Sequence, residues 1–408
     1  MIKMNVAIVG GGASGFFAAI RAKSKNPNAN VTIFEKNQNV LAKVMITGGG
    51  RCNLTNTFEE ISDLKHAYPR GHKLMKRLFK QFDYHEVYKW FEDNGVPLVT
   101  QEDLCVFPKS QEAASIVNCL VNKAKRLGVN VMTGYKLEKA VQTEEGLFML
   151  YFKNGQIQVF DRVAITTGGS PNMNDLLHLR GLGHEIETPI PSLFTFNITD
   201  KKMLALMGTV VNPVITSIPS TKFRSQGPLL VTHWGFSGPA ILKLSSHAAR
   251  YLHDNNYNID ISVNWTNVVS RSEIEEYIKD FVSENPNKQL ASLRPYDIPS
   301  RLWTYIIEKL SIPKDKKWAE LGKSGVNRVI EALSNDIYHV SGKGAYRDEF
   351  VTCGGVSLSN IDYHTLESKI CPHLFFAGEV LDIDAITGGF NLQAAWTTGY
   401  IVGQNIVE

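Results

Sequence analysis

The chain has 408 residues, of which 43% are hydrophobic and 20% charged, and its net charge at pH 7 is +3. That is the make-up of a globular protein with enough core for two or three domains, and so slight a charge argues against a polybasic membrane anchor or a surface basic all over for nucleic acid. No apolar run is long enough to span a bilayer. The five scattered cysteines (Cys52, Cys105, Cys119, Cys353 and Cys371) form no C-x-x-C pair, so each reads as a small buried hydrophobe in a reducing cytoplasm.

In chain order, Asn5-Val-Ala-Ile-Val9 predicts a strand buried on both faces of a parallel sheet. Residues 10–15 read as a turn. Residues 14–25 read as a helix with Ala13, Phe17 and Ile20 on its packed face, and Asn26-Pro27-Asn28 stops it. Residues 31–35 are a second buried strand, which completes a right-handed βαβ unit. Residues 4–20 match a leader peptide in hydropathy, but Gly10, Gly11 and Gly12 interrupt that pattern.

Residues 60–130 read as helical, with helices at 74–82, 85–94 and 112–127. Strands are expected at 129–133, 136–143, 147–152, 157–160 and 162–166, with Lys153-Asn154-Gly155 as a hairpin turn. At Thr188-Pro-Ile-Pro191 the texture changes. Short β-like runs at 194–198, 210–218, 229–233 and 259–265 lack βαβ alternation, which predicts a small antiparallel barrel or sandwich. Helices are expected at 270–284, 299–310 and 323–333, then a strand at 337–340 returning to the barrel. The last 59 residues, 350–408, resume the style of the first domain.

Gly10-x-Gly12-x-x-Gly15 follows a strand and opens a helix. Gly10 permits the tight turn, Gly12 lets backbone approach a pyrophosphate, and Gly15 lets helix pack on strand. The helix start, with Ala13 and Ser14, offers free N–H groups and the positive dipole end to phosphates. Glu35, with Lys36 beside it, ends the second strand and suits ribose hydroxyls.

Leu374-Phe-Phe-Ala-Gly378-Glu379 followed by Thr387-Gly388-Gly389-Phe390-Asn391 and a helix over residues 390–406 resembles the closing segment of FAD enzymes of the glutathione-reductase type. That resemblance makes FAD the expected cofactor, puts Glu379 at the ribityl chain, and aims the helix N-terminus at the flavin pyrimidine edge. It also makes Thr167-Gly168-Gly169 the middle motif near the nucleotide. The most distinctive stretch is Lys43-Val-Met-Ile-Thr47-Gly48-Gly49-Gly50-Arg51-Cys52-Asn53-Leu-Thr-Asn56, where glycines bring backbone close to a flat or phosphorylated group and Arg51 adds a planar cation.

Together with Thr232-His-Trp-Gly-Phe-Ser-Gly-Pro239 and Val351-Thr-Cys-Gly-Gly-Val356, these segments resemble one bacterial flavoprotein family over nearly the whole chain: the aminoacetone-oxidase-like and dehydro-bile-acid-reductase-like proteins. Thr47 stands where that pattern has Ser, and Ala385 where it has Gly. The resemblance implies an α/β architecture, a Rossmann-type FAD-binding domain (residues 1–191 and 350–408) interrupted by a β-barrel (192–265 and 335–349) and a small helical insert (266–334).

The expected function is an FAD-dependent oxidoreductase. No second G-x-G-x-x-G follows a strand between residues 100 and 350, so NAD(P)H is expected only as a transient co-substrate. The leading reading is reduction of an activated C=C or C=O in a small molecule. One alternative is an oxygen-using oxidase of a small amine or ketone. Another is a non-catalytic FAD binder or an RNA-modification protein, against which the weak net charge and the want of a basic, aromatic-interleaved stretch count. Arg51 is the candidate oxyanion or flavin-charge stabiliser and His233 the candidate proton donor, although Thr232-His-Trp also reads as a plain barrel turn. His178, His184, His247 and His253 lack metal-ligand spacing, so no metal is expected. The expected partner is a small-molecule substrate, with neither nucleic acid nor membrane. The sequence does not indicate the oligomeric state.

Overall fold

The computed structural model describes residues 3–170, 172–344 and 351–408. The chain divides into two compact units, Met1–Pro191 with Val351–Glu408, and Ser192–Phe350. The expected return point at residue 350 lies outside the described residues.

The first unit is built on a five-stranded parallel sheet. Its strands are β1 (Asn5–Val9), β2 (Asn30–Glu35), β3 (Asn130–Thr133), β4 (Arg162–Ile165) and β5 (Leu374–Phe376), in the order β5-β4-β1-β2-β3. Val6, Ile8, Val31, Ile33, Val163 and Ile165 are all fully buried, which is why these strands read as continuous apolar runs. Between β1 and β2 runs helix α1 (Ala13–Lys25), and the closing helix covers Phe390–Asn405. The two helices meet through small residues. A Cβ on Gly399 would fall 2.5 Å from the Ser14 carbonyl oxygen, and one on Gly403 would strike Ala18, so this crossing tolerates nothing larger than glycine at either position.

The expected helical stretch 60–130 is broken by β structure. Thr55–Asn56, Leu98–Thr100 and Cys105–Pro108 form a small antiparallel sheet. These strands of two to four residues are too short to show a period, and only burial of Val106 and Phe107 reveals them. Two short helices here matter later, α2 (Ala42–Ile46), which the sequence reading lacks, and α3 (His72–Leu78).

The second unit contains a closed six-stranded antiparallel barrel: Phe196–Ile198, Gly235–Ser237, Arg224–Val231, Val210–Ser217, Ile259–Asn264 and Asp336–Lys343, the last pairing with the first. The strand expected from residue 229 begins five residues earlier, at Arg224, because Gly227-Pro228 sits inside it at a register shift instead of ending it. The helices Arg271–Glu284, Ser300–Lys309 and Gly322–Ser334 do not form a separate body. Trp303, Trp318 and Ile330 share one core with the barrel residues Phe236, Tyr338 and Trp265. Buried Asp336 ties the two parts together: it accepts from Trp265 Nε1 at 3.0 Å, from Lys309 Nζ at 2.6 Å, and from the Tyr338 hydroxyl.

Candidate functional site

The glycine turn after β1 is held from three sides. Gly10 N donates to the Phe34 carbonyl at 2.7 Å, Gly11 N donates to Glu35 Oε2 at 2.9 Å, and the Thr166 hydroxyl donates to the Gly10 carbonyl at 2.9 Å. Gly10 has φ +120°, and a Cβ on Gly15 would fall on the Gly10 carbonyl, so both glycines are required by the fold itself. Gly12 differs. Its φ is −91°, which any residue adopts, and nothing lies within 4 Å of an added Cβ. Helix α1 above it has neither a side-chain cap nor an acidic residue in its first turn, so no side chain of the protein caps its end N–H groups.

The carboxyl-terminal motifs converge on the same place. A Cβ on Gly378 would meet the Ser14 hydroxyl at 2.6 Å, and Gly378 N donates to Thr398 Oγ1 at 2.9 Å. Glu379 gathers three separate segments. Its Oε1 accepts from Thr352 N at 2.7 Å, its Oε2 lies 3.4 Å from Lys43 Nζ, and the carboxylate occupies the space a side chain at Gly169 would need.

The closing helix starts at Gly389 (φ +88°), again without a side-chain cap or an acid in its first turn. A Cβ on Gly389 would meet the Thr55 carbonyl and Asn53 Oδ1, which places the Gly48–Asn53 loop against this helix end. In that loop Gly48, Gly49 and Gly50 are successive left-handed residues, the last two open to space. Asn53 Oδ1 is buried with no hydrogen-bond partner.

The remaining sequence-chosen residues divide. The Arg51 guanidinium lies 4.4 Å over the Phe107 ring, with Nε donating to the Gly48 carbonyl at 3.3 Å. Cys52 is fully buried, and burial pushes its thiol up to about 12, which makes it packing and not chemistry. Thr47 donates to the Lys43 carbonyl at 2.6 Å, and Asn391 brackets Ala385, accepting from its N and donating to its carbonyl, so both side chains brace the backbone. Ala385 has no positive φ, and the departure from glycine there costs no strain. His233 belongs to the second unit, in a tight turn between two barrel strands where Thr232 N donates to the Gly235 carbonyl.

Three features escape the sequence reading, one of them the crossing of α1 and the closing helix at Gly399 and Gly403. A cavity beside Glu35, Lys36, Thr167, Gly168 and Gly169 is also walled by Tyr135, Lys136 and His178, and His178 Nε2 is buried there without a partner. The turn before the closing helix is clamped by residues 67–70: Arg70 forms a two-pronged ion pair with fully buried Asp384, Ala67 accepts from Ile386 N, and the Tyr68 hydroxyl donates to the Phe390 carbonyl at 2.9 Å. Burial works against the Arg70 charge, and the adjacent Asp384 more than offsets it. Of these, the Gly399-x-x-x-Gly403 spacing is a local signal that could have revealed the crossing. The others join residues as much as 322 apart, which no local pattern reports.

Two uncapped helix ends, an acid at the end of β2, an open Gly12, and unpartnered Asn53 Oδ1 and His178 Nε2 suit a long dinucleotide with a polar ring system. Residues 4–405 match the family described as HI0933-like protein Rossmann domain, and the chain belongs to that family. It is an FAD-dependent oxidoreductase.

Over 99% of both chains it is 27% identical to a 3-dehydro-bile acid delta(4,6)-reductase of Clostridium scindens. It is also 27% identical to a ribosomal RNA dihydrouridine synthase of Haemophilus influenzae, over 98% of this chain and 97% of the relative. The fold is that of a 3-ketosteroid-delta4-(5alpha)-dehydrogenase of Rhodococcus jostii, at TM-score 0.54, 12% identity, and 100% and 98% coverage of this chain and that one. Among the described residues no helix is long and apolar enough to cross a membrane.

Proposed function

We propose that the chain reduces a C=C bond conjugated to a carbonyl, with NAD(P)H as electron donor. One observation carries this reading. Relatives of two different names match over 97–99% of their length, and both names describe the same chemistry. A 3-oxo steroid with Δ4,6 unsaturation and the uracil ring each present an alkene in conjugation with a carbonyl, and each product has gained two hydrogens across it.

The flavin supplies two-electron transfer to or from such a bond when bound. In this reading Gly10, Gly12, Ala13, Ser14 and Gly15 hold the pyrophosphate, while Glu35 and Lys36 hold the adenosine end together with Tyr135 and His178. Glu379 and Lys43 meet the ribityl side, and Thr387 to Asn391 and Thr47 to Asn53 frame the ring. Arg51 is the cation for the carbonyl oxygen, where negative charge grows as the conjugated bond is reduced.

The test is anaerobic. The yellow protein is mixed with NADH or NADPH, then with a 4-en-3-one steroid, with uridine-containing RNA, or with air. Bleaching by one nicotinamide and faster recolouring by a conjugated alkene than by air is the expected result. Recolouring by air alone makes the protein an oxidase, and absence of bleaching removes NAD(P)H as donor.

A further inference from the structure

Residues 64–82 contain Lys65, Arg70, Lys73, Lys76, Arg77 and Lys80, besides His66 and His72, and no acid, whereas the whole chain carries a net charge of only +3. Helix α3 buries Leu74, Met75 and Leu78 and turns Lys73, Lys76 and Arg77 outward, with Lys80 continuing the same stripe one turn on. An ordinary solvated helix face mixes both signs. This one does not, although Asp382 adds negative charge beside Arg70 and Asp362 accepts from the backbone of His364. Asp63 is paired with Lys65, and Asp384 with Arg70. Asp83 and Glu86 are engaged in a capping box at the start of the next helix, Tyr84–Asp93. Arg77 lies 3.2 Å from His364 Nδ1. Among the described residues the side chains of Lys73, Lys76 and Lys80 make no ion pair or hydrogen bond.

The stripe is also fixed to the site. Gly71, which caps α3, abuts Ile383, and the neighbouring residues 67–70 clamp the turn that leads into the closing helix. Four cations therefore follow directly in the chain on the residues that hold that turn. From Lys73 to Leu78 the helix axis advances roughly 7.5 Å at 1.5 Å per residue, with Lys80 in the turn just beyond, a length over which about three phosphates of one strand follow each other.

We propose that the outer face of α3, with Lys73, Lys76, Arg77 and Lys80, docks the phosphate backbone of a structured RNA, so that the conjugated alkene offered to the site is that of an unpaired pyrimidine. The binding part stands on the charge pattern alone, and the substrate part rests on the reductase reading above. RNA fits better than DNA because a base must leave its stack to reach a group held inside a fold, and unstacked bases belong to RNA loops. Over the whole chain the charge nearly cancels, which is why composition alone pointed away from nucleic acid.

The test uses the full-length, FAD-loaded protein and a fluorescent RNA hairpin with uridines in its loop, beside the same hairpin in DNA, between roughly 50 and 200 mM salt. Wild type should bind the RNA with steep salt dependence. Combined Lys73→Glu, Lys76→Glu and Lys80→Glu should weaken binding at least about tenfold and flatten the log–log salt slope by about 2–3, at unchanged FAD content. Combined Lys→Gln at the same positions should move binding the same way if charge reversal costs solubility. No RNA binding, equal binding of the DNA hairpin, or undiminished binding by both triple variants overturns the proposal. Anaerobic recolouring by a free steroid enone is followed in the same preparations. If that fails while RNA binding responds as expected, the reaction is wrong and the surface stands. If the enone reacts alike in wild type and variants and RNA does not bind, the surface is wrong and the reaction stands.

Discussion

Single residues divide into those the fold needs and those left over for a ligand, and Gly12 is the clearest of the second kind. With φ −91° and nothing within 4 Å of an added Cβ, alanine fits there without strain. Gly12→Ala should therefore lose most bound FAD while the cofactor-free protein melts where wild-type apoprotein does. The holoprotein alone should lose stability, about 2.7 kcal/mol at a cofactor concentration of 100 times Kd. Absorbance and paired melting curves measure both, and full occupancy in the variant would reduce the motif to a turn. Cysteines show the opposite case. All five are buried, and burial raises the thiols of Cys52, Cys105, Cys119 and Cys371, the first to about 12 and the second and fourth to about 11. Thiolate is the reactive form, so these four should resist iodoacetamide in native protein at neutral pH and be labelled only on unfolding. Rapid native labelling of Cys52, followed by mass spectrometry, would contradict its placement. These roles were only partly legible in the sequence: spacing marked Gly12 as special, but only its empty surroundings separate it from Gly10 and Gly15.

Among the elements, the closing helix offers the sharpest test, because its N-terminus is free of caps and acids. Gly389 is a poor probe of that dipole. Its φ of +88° and the Thr55 carbonyl behind it would make any side chain a test of folding. Thr387 is half-buried in the same turn at an ordinary φ, so Thr387→Asp compared with Thr387→Asn isolates charge. A helix end favours a nearby anion by about 0.3–1 kcal/mol. A carboxylate competing there should lower the two-electron midpoint potential of the bound flavin by roughly 6–20 mV relative to Asn. Dye-equilibrated titration at checked occupancy measures it, and equal potentials would mean that this helix end does not face the flavin. The helix itself was readable from its Gly-Gly start and its length. The residues 67–70 clamp was not, since Arg70 and Asp384 are 314 positions apart and each looks like an ordinary surface charge in its own segment.

For the whole molecule, the second unit leaves and re-enters the first through neighbouring strands, Ile186–Ser192 and Val351–Val356, which form a two-stranded sheet. Joining residues 1–191 to 351–408 by a short linker should therefore leave a soluble, yellow protein that retains FAD. A soluble but colourless product would show that the second unit is needed to hold the cofactor. The parallel sheet, the βαβ unit, both glycine-rich motifs and the three long helices of residues 266–334 could be read from the chain, because each is written in the spacing of near neighbours: burial on two faces gives an apolar run, and a helix end gives glycine and a missing cap. Packing of distant segments decided the rest. Closure of the barrel by Phe196–Ile198 on Asp336–Lys343, fusion of the helices into the barrel core through Trp303 and Trp318, and convergence of Lys43, Gly169 and Thr352 on Glu379 all pair residues far apart in sequence. A hydrophobic period tells which face of an element is buried, but it carries no information about the surface buried against it, and a functional site is made of such choices.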